Sequence, residues 1–247
     1  MKSNLIPLLC ALLCLAATTS ARSEPEPKIR VLVVTGGHDF EKEPFLRMFR
    51  DNPEITFEAV AHPQAHAKLT AEAAKNWDVL VLYDMWQPVT EEAKADFLAR
   101  LKEGKGIVSL HHSIANYQEW EAYGKMIGGK YFLKDRKEDG VDHPASTYKH
   151  DVKFKVEVAA KDHPVTRGVA DFEILDETYH GLWVDPAATV LLRTNEPTSH
   201  PVIGWTRQEQ ASRIVYLELG HDHNAFANPN YRRLVSQAIR WTAKTGG

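Results

Sequence analysis

The sequence has almost no sulfur chemistry available to it. Its only cysteines, Cys10 and Cys14, both lie ahead of residue 21. Residues 1–21 combine a basic Lys2, an apolar run over 5–17 and small residues up to Ala21, which is typical of a secretory signal peptide. Without that segment no thiol remains for a disulfide, a thiolate metal site or a cysteine nucleophile. The sequence therefore predicts an exported protein whose chemistry uses oxygen and imidazole.

The sequence also lacks an excess of positive charge and a long apolar run. Thirty Lys and Arg oppose 33 Asp and Glu, so neither nucleic acid nor an anionic membrane surface is a favoured partner. The run over 5–17 is shorter than the roughly 20 residues of a membrane span, and we predict no membrane attachment after signal cleavage. Gly36 and Gly37 are not followed by a GxGxxG or Walker sequence. We therefore predict no nucleotide and no flavin.

Apolar strand patterns alternate with helical patterns in the first half of the chain. The periodicity predicts strands at 29–35, 55–60, 77–83 and 107–110, and helices at 41–51, 90–102 and 116–127. Thr90 is a good N-cap for the second of these helices. This order is typical of right-handed crossovers and a doubly wound, mostly parallel sheet with helices on both faces.

The rhythm changes after Gly129. Residues 134–140 are charged and rich in turn formers, and short strands are predicted at 152–158, 189–193, 202–205 and 213–219 before a last helix at 229–243. No linker of domain-separating length and no internal repeat interrupts this region. We predict a tether over 22–28 and one α/β domain over 29–244, whose second half adds antiparallel strands.

Histidines and acids follow the ends of several predicted strands. His38 follows the first strand, Asp84 the third and His111 and His112 the fourth, and the last strand leads into 221–223, which reads His, Asp, His. Ligands of open parallel sheets bind at the carboxyl ends of the strands. The pattern therefore predicts one rim that gathers distant imidazoles, although each could also be a packed or solvated turn residue. Six other histidines have no such placement and are predicted to be structural or exposed: His62, His66, His143, His150, His163 and His200.

Seven motifs are spread along the chain in a fixed order. They are TGGHDF (35–40), GIVSLHHS (106–113), DHPVTRGV (162–169), LDETYHG (175–181), PVIGW (201–205), RIVYLELGHD (213–222) and NPNYRRLVSQAIRW (228–241). Together they resemble the ThuA-like proteins, a family named for trehalose utilisation and related in fold to the class I glutamine amidotransferases. The resemblance implies a flavodoxin-like fold, in agreement with the strand and helix pattern.

The amidotransferase relationship also implies positions for a site. Those enzymes place a cysteine at a sharp elbow after a central strand and pair it with a late histidine; here the elbow is His111 and the late histidine His221. Without a thiol the glutaminase mechanism cannot operate, and Ser113 is poorly placed to replace it. Facing imidazoles instead suggest a divalent metal held by His38, His111 and His221, since three protein ligands with an open position are typical of catalytic zinc.

The segment over 175–181 would complete such a site. Glu177 is a candidate general acid or base, with His112 as a second catalytic candidate, while Tyr179 and His180 could donate hydrogen bonds to a sugar. Alternatively, Asp176 and Glu177 are ordinary turn acids. A carboxylate ligand, Glu177 or Asp222, would favour manganese or iron over zinc. The remaining candidate substrate-binding residues are Asp84, Asp222 and His223, and the aromatic residues that could stack on a sugar are Tyr83, Trp86, Tyr117 and Trp183.

Three functional classes follow. The resemblance implies an exported enzyme of carbohydrate catabolism that acts on glycosides or 3-keto-glycosides by proton abstraction, elimination or hydrolysis, with a metal assisting. The second class is a sugar-binding or scaffold domain without catalysis, because fold does not establish activity. The third is a metal-free serine or histidine hydrolase. The predicted partner is a small carbohydrate, and the sequence leaves open whether the chain forms a homo-oligomer.

Overall fold

The computed structural model describes residues 27–138 and 140–243. The predicted signal peptide, most of the predicted tether and residue 244 lie outside the described residues. Within them, no helix combines the length and apolar character needed to cross a membrane.

The first half forms alternating strands and helices. The elements are β1 (Ile29–Gly36), α1 (Lys42–Arg50), β2 (Ile55–Ala61), β3 (Val79–Asp84), α2 (Glu91–Lys102), β4 (Gly106–Leu110) and α3 (Glu121–Ile127). The four strands are parallel in the order β2-β1-β3-β4. Thr90 caps α2 as predicted, since its hydroxyl accepts the backbone N–H of Ala93 at 3.2 Å.

One helix differs from the prediction. The segment predicted as a helix over 116–127 begins in a turn, and only its second half is helical. A 3₁₀ helix (His111–Ala115) precedes that turn, and Tyr117 has a φ of 42°. A positive φ is incompatible with a continuing right-handed helix. The end of α3 agrees with the prediction, because Gly128 closes the helix in the left-handed conformation with a φ of 82°.

The second half adds strands in antiparallel pairs. Its elements are β5 (Gly129–Lys130), β6 (Arg136–Glu138), β7 (Val141–His143), β8 (Thr147–Val158), β9 (Phe172–His180), β10 (Trp183–Val184), β11 (Thr189–Arg193), β12 (Val202–Glu209), β13 (Ser212–Leu217), α4 (His223–Ala227) and α5 (Pro229–Ala243). Strand β13 returns beside β4 in parallel, and β12, β11, β8 and β9 extend the sheet in antiparallel order. The predicted flavodoxin-like class with added antiparallel strands is confirmed.

Helices cover both faces of this nine-stranded sheet. One buried apolar cluster packs α1 and α5 against one face, with Phe45 and Leu234 fully buried. A second cluster packs α2 and α3 against the other face, with Leu101 and Ile127 fully buried. The first strands are apolar on both faces for this reason, as expected for a parallel sheet between two helical layers. The core therefore fixes the carboxyl ends of β1, β3, β4 and β13 relative to one another.

Strand β9 was not predicted from the sequence, and it is the element that completes the site. It is the edge strand, five positions away from β4 in the sheet order. Nevertheless, a side chain of β9, Glu177, contacts His111 just past β4. The antiparallel half of the sheet therefore curls back over the carboxyl ends of the parallel strands, because otherwise these two residues could not meet.

Candidate metal and acid–base site

His111 occupies a sharp elbow immediately after β4. Its φ is 50°, a strained value for a residue with a side chain, and it is fully buried. The hydroxyl of Tyr216 donates to its carbonyl at 3.0 Å, and its Nδ1 lies 2.6 Å from the carbonyl oxygen of Glu218. A carbonyl only accepts, so Nδ1 carries the proton and donates it. In the neutral ring, Nε2 therefore presents a lone pair to the site.

His221 follows β13 in a turn that a buried carboxylate organises. Asp176 accepts the backbone N–H groups of Gly220 at 2.8 Å and of His221 and Glu177 at 2.9 Å each. The bonds from Gly220 and His221 tie the His221 turn to β9, and the bond from Glu177 lies within β9. Asp176 is thus neither a turn acid nor a solvated one: it is a buried anchor that positions two other site residues. Burial raises the pKa of Asp176, although the three N–H donors oppose this rise.

Glu177 on β9 meets both imidazoles. Its Oε2 lies 3.0 Å from His111 Nε2 and 3.4 Å from His221 Nδ1, and these two nitrogens are 3.3 Å apart. We call these three residues the triad. Four ligands at about 2.0–2.1 Å around a tetrahedral Zn²⁺ lie about 3.3 Å from each other. The three donor atoms of the triad thus already have the spacing of one face of a coordination tetrahedron, and His₂Glu is an established zinc donor set.

The triad is also an ion pair when no cation is bound. Burial disfavours the charged form of Glu177, but hydrogen bonds from His111 and His221 outweigh it and hold the pKa of Glu177 well below its ordinary value. The hydrogen bond to Glu177 raises the pKa of His221 in turn, although partial burial opposes this. Glu177 Oε2, His111 Nε2 and His221 Nδ1 each have a lone pair that points to the others. The site therefore requires either a shared proton or a cation between these three atoms.

His150 belongs to the site, although it was predicted to be structural or exposed. One residue of β9, Glu177, faces two residues of β8, His150 and Asp151, which form a β-bulge with Asp151 at a φ of 56°. The bulge brings His150 Nδ1 to 3.2 Å from Glu177 Oε1, and the side chain of His150 remains 49% exposed. His150 therefore lies at the mouth of the site, in contact with the carboxylate oxygen that the other two imidazoles do not use.

His38 and His112 lie beside the triad but outside its donor set. The exposed ring of His38 is centred 5.0 Å from that of His112 and 6.4 Å from that of His221. The metal site predicted from His38, His111 and His221 thus differs from the observed cluster, in which Glu177 replaces His38. His112 is buried below His38 and its Nε2 has no partner. Burial, together with His111 and His38, lowers the pKa of His112 well below its ordinary value.

Asp84 forms a separate buried cluster at the end of β3. Its Oδ2 accepts from His62 Nε2 at 2.7 Å and from the amide of Asn116 at 2.6 Å. Burial raises the pKa of Asp84, with the His62 hydrogen bond opposing it. Asp84, predicted to bind substrate, is thus fully buried among structural partners. The side chain of His62 is buried as well, and its backbone N–H donates to the carbonyl of Thr35 in β1 at 2.9 Å.

Three further predicted substrate-binding residues have other positions or partners. Asp222 is the N-cap of α4 and accepts the N–H groups of Asn224 and Ala225. His223 pairs with Glu41 on the α1 side, with Nδ1 3.0 Å from the carboxylate. His180 is exposed at the end of β9, near His200, and strand alternation places it opposite Glu177. The polar, turn-like sequences around these three residues contain no pattern that predicts these partners.

The predicted aromatic residues divide between the site and the core. Tyr179 is buried, and its hydroxyl lies 2.9 Å from His111 Nε2, in contact with the triad. Tyr83 is fully buried and packs on Phe45 and His112. Trp183 lines a separate cavity with Phe132 and His143 on the far side of α3. Trp86 is half exposed.

Comparisons with known proteins agree with the fold and identify the family. A sequence model of the ThuA family, described as trehalose utilisation, matches residues 30–242. The fold is similar to a ThuA-like protein of Parabacteroides merdae (TM-score 0.75, 16% identity, 90% of this chain and 92% of that chain). It is also similar to a ThuA-like protein of Bacteroides uniformis (TM-score 0.66, 22% identity, 90% and 94%).

A more distant similarity connects the fold to the amidotransferases. A glutamine amidotransferase of Thermotoga maritima superposes with a TM-score of 0.52 at 11% identity, covering 89% of this chain and 100% of that chain. At such identities the structural neighbours show the fold alone. A comparison with curated proteins found no match. The match over 30–242 shows that the chain belongs to the ThuA family.

Proposed function

We propose that this protein is an exported enzyme of carbohydrate catabolism that holds a divalent cation on His111, Glu177 and His221 and acts on glycosides or 3-keto-glycosides. The observation that carries the proposal is the spacing of the three donor atoms, which are 3.0, 3.3 and 3.4 Å apart. The family description, trehalose utilisation, supports a sugar as substrate. Export is supported by the signal-peptide pattern over 1–21.

The donor set suits zinc, manganese or iron. Two imidazoles and one carboxylate serve all three metals, and a fourth position towards the mouth would remain for substrate or water. The carbonyl of Glu218, which accepts from Nδ1, is an outer contact that orients a ligating His111 ring. The hydroxyl of Tyr179 lies against Nε2, the ligand nitrogen itself, so it would have to release that nitrogen when a cation binds. When bound, the cation would supply Lewis-acid stabilisation of a developing oxyanion.

The chain itself supplies the proton transfer. Removal of a proton beside a keto group requires a base at the mouth of the site. Glu177 is surrounded by imidazoles, and Nε2 of His112 is shielded, whereas His150 is half exposed and accessible. In the proposed elimination, His150 takes the proton from the carbon beside the keto group, a carbon–carbon double bond forms, and the glycosidic bond breaks. His150 then returns the proton to the departing oxygen.

A second candidate is a sugar-binding domain without turnover. The observation that favours it is the ion pair within the triad, because Glu177 and His221 neutralise one another without any cation. Such a domain would bind sugar through the same mouth. It would show sugar-dependent thermal stabilisation and no product.

Metal analysis of protein purified without chelator tests the proposal. We expect about one Zn, Mn or Fe per chain, as for catalytic sites with three protein ligands. His111→Ala, Glu177→Gln and His221→Ala should lose the metal and the turnover of a 3-keto-glycoside probe. His180→Ala is the matched control, since this exposed histidine lies on the opposite side of β9. Wild-type protein without metal whose triad variants retain full turnover would refute the proposal.

His38→Ala separates the structural assignment from the sequence prediction. If Glu177 completes the donor set, this variant keeps its metal, because His38 lies outside the triad. If His38 is a ligand, metal content falls as it does in His111→Ala. Metal content per folded chain, measured beside circular dichroism, decides between the two.

A further inference from the structure

A groove lies beside the triad between the segment after β3 and the segment after β4. Its volume is about 410 Å³. Aromatic and aliphatic side chains form most of its wall, and amide and charged groups lie at its rim. The residues that matter for the inference are Trp86, Gln87, Tyr117, Trp120 and Leu133.

The groove exposes apolar surface that the fold does not need to expose. Trp86 is 52% exposed and Leu133 36% exposed, so two of the five large exposed apolar side chains of the described residues line this one groove. Exposed apolar surface gathered in a concave site is typical of a binding surface rather than of a random surface. The exposed part of Trp86 is therefore available to a ligand.

The backbone that presents these rings is strained. Trp86 has a φ of 41° and Tyr117 a φ of 42°, which are uncommon values for bulky residues. Hydrogen bonds maintain them: the indole N–H of Trp86 donates to the carbonyl of Gly37, and the hydroxyl of Tyr117 lies 3.2 Å from His66 Nε2. Strain of this kind persists where the surrounding structure over-determines it, and it concentrates at ligand sites.

The groove is connected to the triad through Gly37 and His38. Gly37, which receives the Trp86 hydrogen bond, precedes His38, and the ring of His38 is centred 6.4 Å from that of His221. On its other side, the backbone N–H of Gln87 donates to Asn116 at 2.7 Å, which fixes the Trp86 segment to the residues after β4. A ligand in the groove would therefore reach the triad past His38.

We infer that this groove is the subsite for the second ring of a disaccharide, with a pyranose face stacked on Trp86 while the reacting ring lies at the triad. The inference rests on the proposed function and names its substrate class as a glycoside of at least two rings. The flat apolar face of a pyranose matches an exposed indole. At the rim, Gln87 Nε2 donates to the carbonyl of Met85 at 3.0 Å, which leaves its amide oxygen to accept from a sugar hydroxyl. The ammonium of Lys94 pairs with Glu91 at 2.7 Å and has further protons to donate.

Calorimetric titration of the full protein with α,α-trehalose and with glucose tests the inference. We expect wild type to bind trehalose more tightly than glucose. Trp86→Ala should weaken trehalose binding by about tenfold, within the range of aromatic contacts, and leave glucose binding unchanged. Trp86→Phe should restore most of the loss, since a ring remains. Trp183→Ala is the matched control because this tryptophan lines a different cavity.

The results separate the inference from the proposed function. If Trp86→Ala binds trehalose as wild type does, the subsite is refuted, whatever the triad holds. Equal affinity of wild type for both sugars, or no binding of either, refutes it as well. If trehalose binding depends on Trp86 while no metal is found at the triad, the subsite stands and the metal-dependent proposal fails. Metal content of Trp86→Ala should equal that of wild type.

Discussion

Loading the triad with Zn²⁺ or Mn²⁺ should raise the melting temperature of the protein. The donor atoms already have ligand spacing, so binding requires little rearrangement and favours the folded chain alone. At a free metal concentration 100 times Kd, the folded state gains about 2.7 kcal/mol. For a domain of this size, roughly 2–4 °C per kcal/mol gives an increase of about 5–11 °C. Differential scanning fluorimetry of chelator-treated protein with and without added metal measures it.

The increase should depend on pH in a defined direction. Glu177 raises the pKa of His221 in the metal-free protein, so the stability from that ion pair is fully present below about pH 6.5 and is lost as pH rises through the raised value. A cation must displace the same proton. Metal affinity, and with it the difference in melting temperature between loaded and metal-free protein, should therefore grow as pH rises towards the raised pKa of His221 and level off above it.

Glu177→Gln provides the decisive comparison. It removes the anionic donor, and the metal-induced increase should nearly disappear, while His180→Ala should respond as wild type does. An equal increase in wild type and Glu177→Gln would show that the cation stabilises the protein elsewhere. A difference between loaded and metal-free protein that shrinks with rising pH would contradict the protonation argument.

Three other predictions concern residues around the site. Asp176→Asn should weaken metal binding by about 10- to 100-fold in a competition titration, because Asp176 anchors the turn of His221. Burial raises the pKa of Glu218 well above its ordinary value. The contribution of Glu218 to folding stability therefore becomes more unfavourable as pH rises above about 4.5. The melting temperature of Glu218→Gln relative to wild type should accordingly increase from pH 5 to pH 8. Thr90→Ala should reduce the unfolding free energy by about 1 kcal/mol in denaturant titrations without changing metal content.

The parallel half of the fold could be predicted because its signals are local. The apolar strands around Val33 and Val81 are buried on both faces, and α2 has both its N-cap and an acidic first turn. Such elements depend on residues a few positions apart. The carboxyl-end rule then correctly brought His111 and His221 together, because it needs only the strand order.

The missed parts of the site depend on long-range contacts. Strand β9 contains buried Asp176 and Glu177, whose polarity matches a turn. Their burial is favourable only because the turn after β13 and the elbow supply partners. His150 enters the site through a bulge, which shifts the register without any residue pattern that marks it. Asp222 caps α4, but its position just after a strand is equally typical of a ligand-binding residue, so the sequence does not distinguish the two roles.

The antiparallel half of the sheet folds back over the parallel strands, and this affects how firmly its edge is held. The last strand of the sheet is bound to the middle of the molecule chiefly where β9 crosses the elbow and the turn after β13. A cation at that crossing would join the edge strand β9 to the middle of the sheet. Amide hydrogens of β8 and β9 should then exchange with solvent more slowly in the metal-loaded protein, while those of β1 and β2, at the opposite edge, would keep their rates.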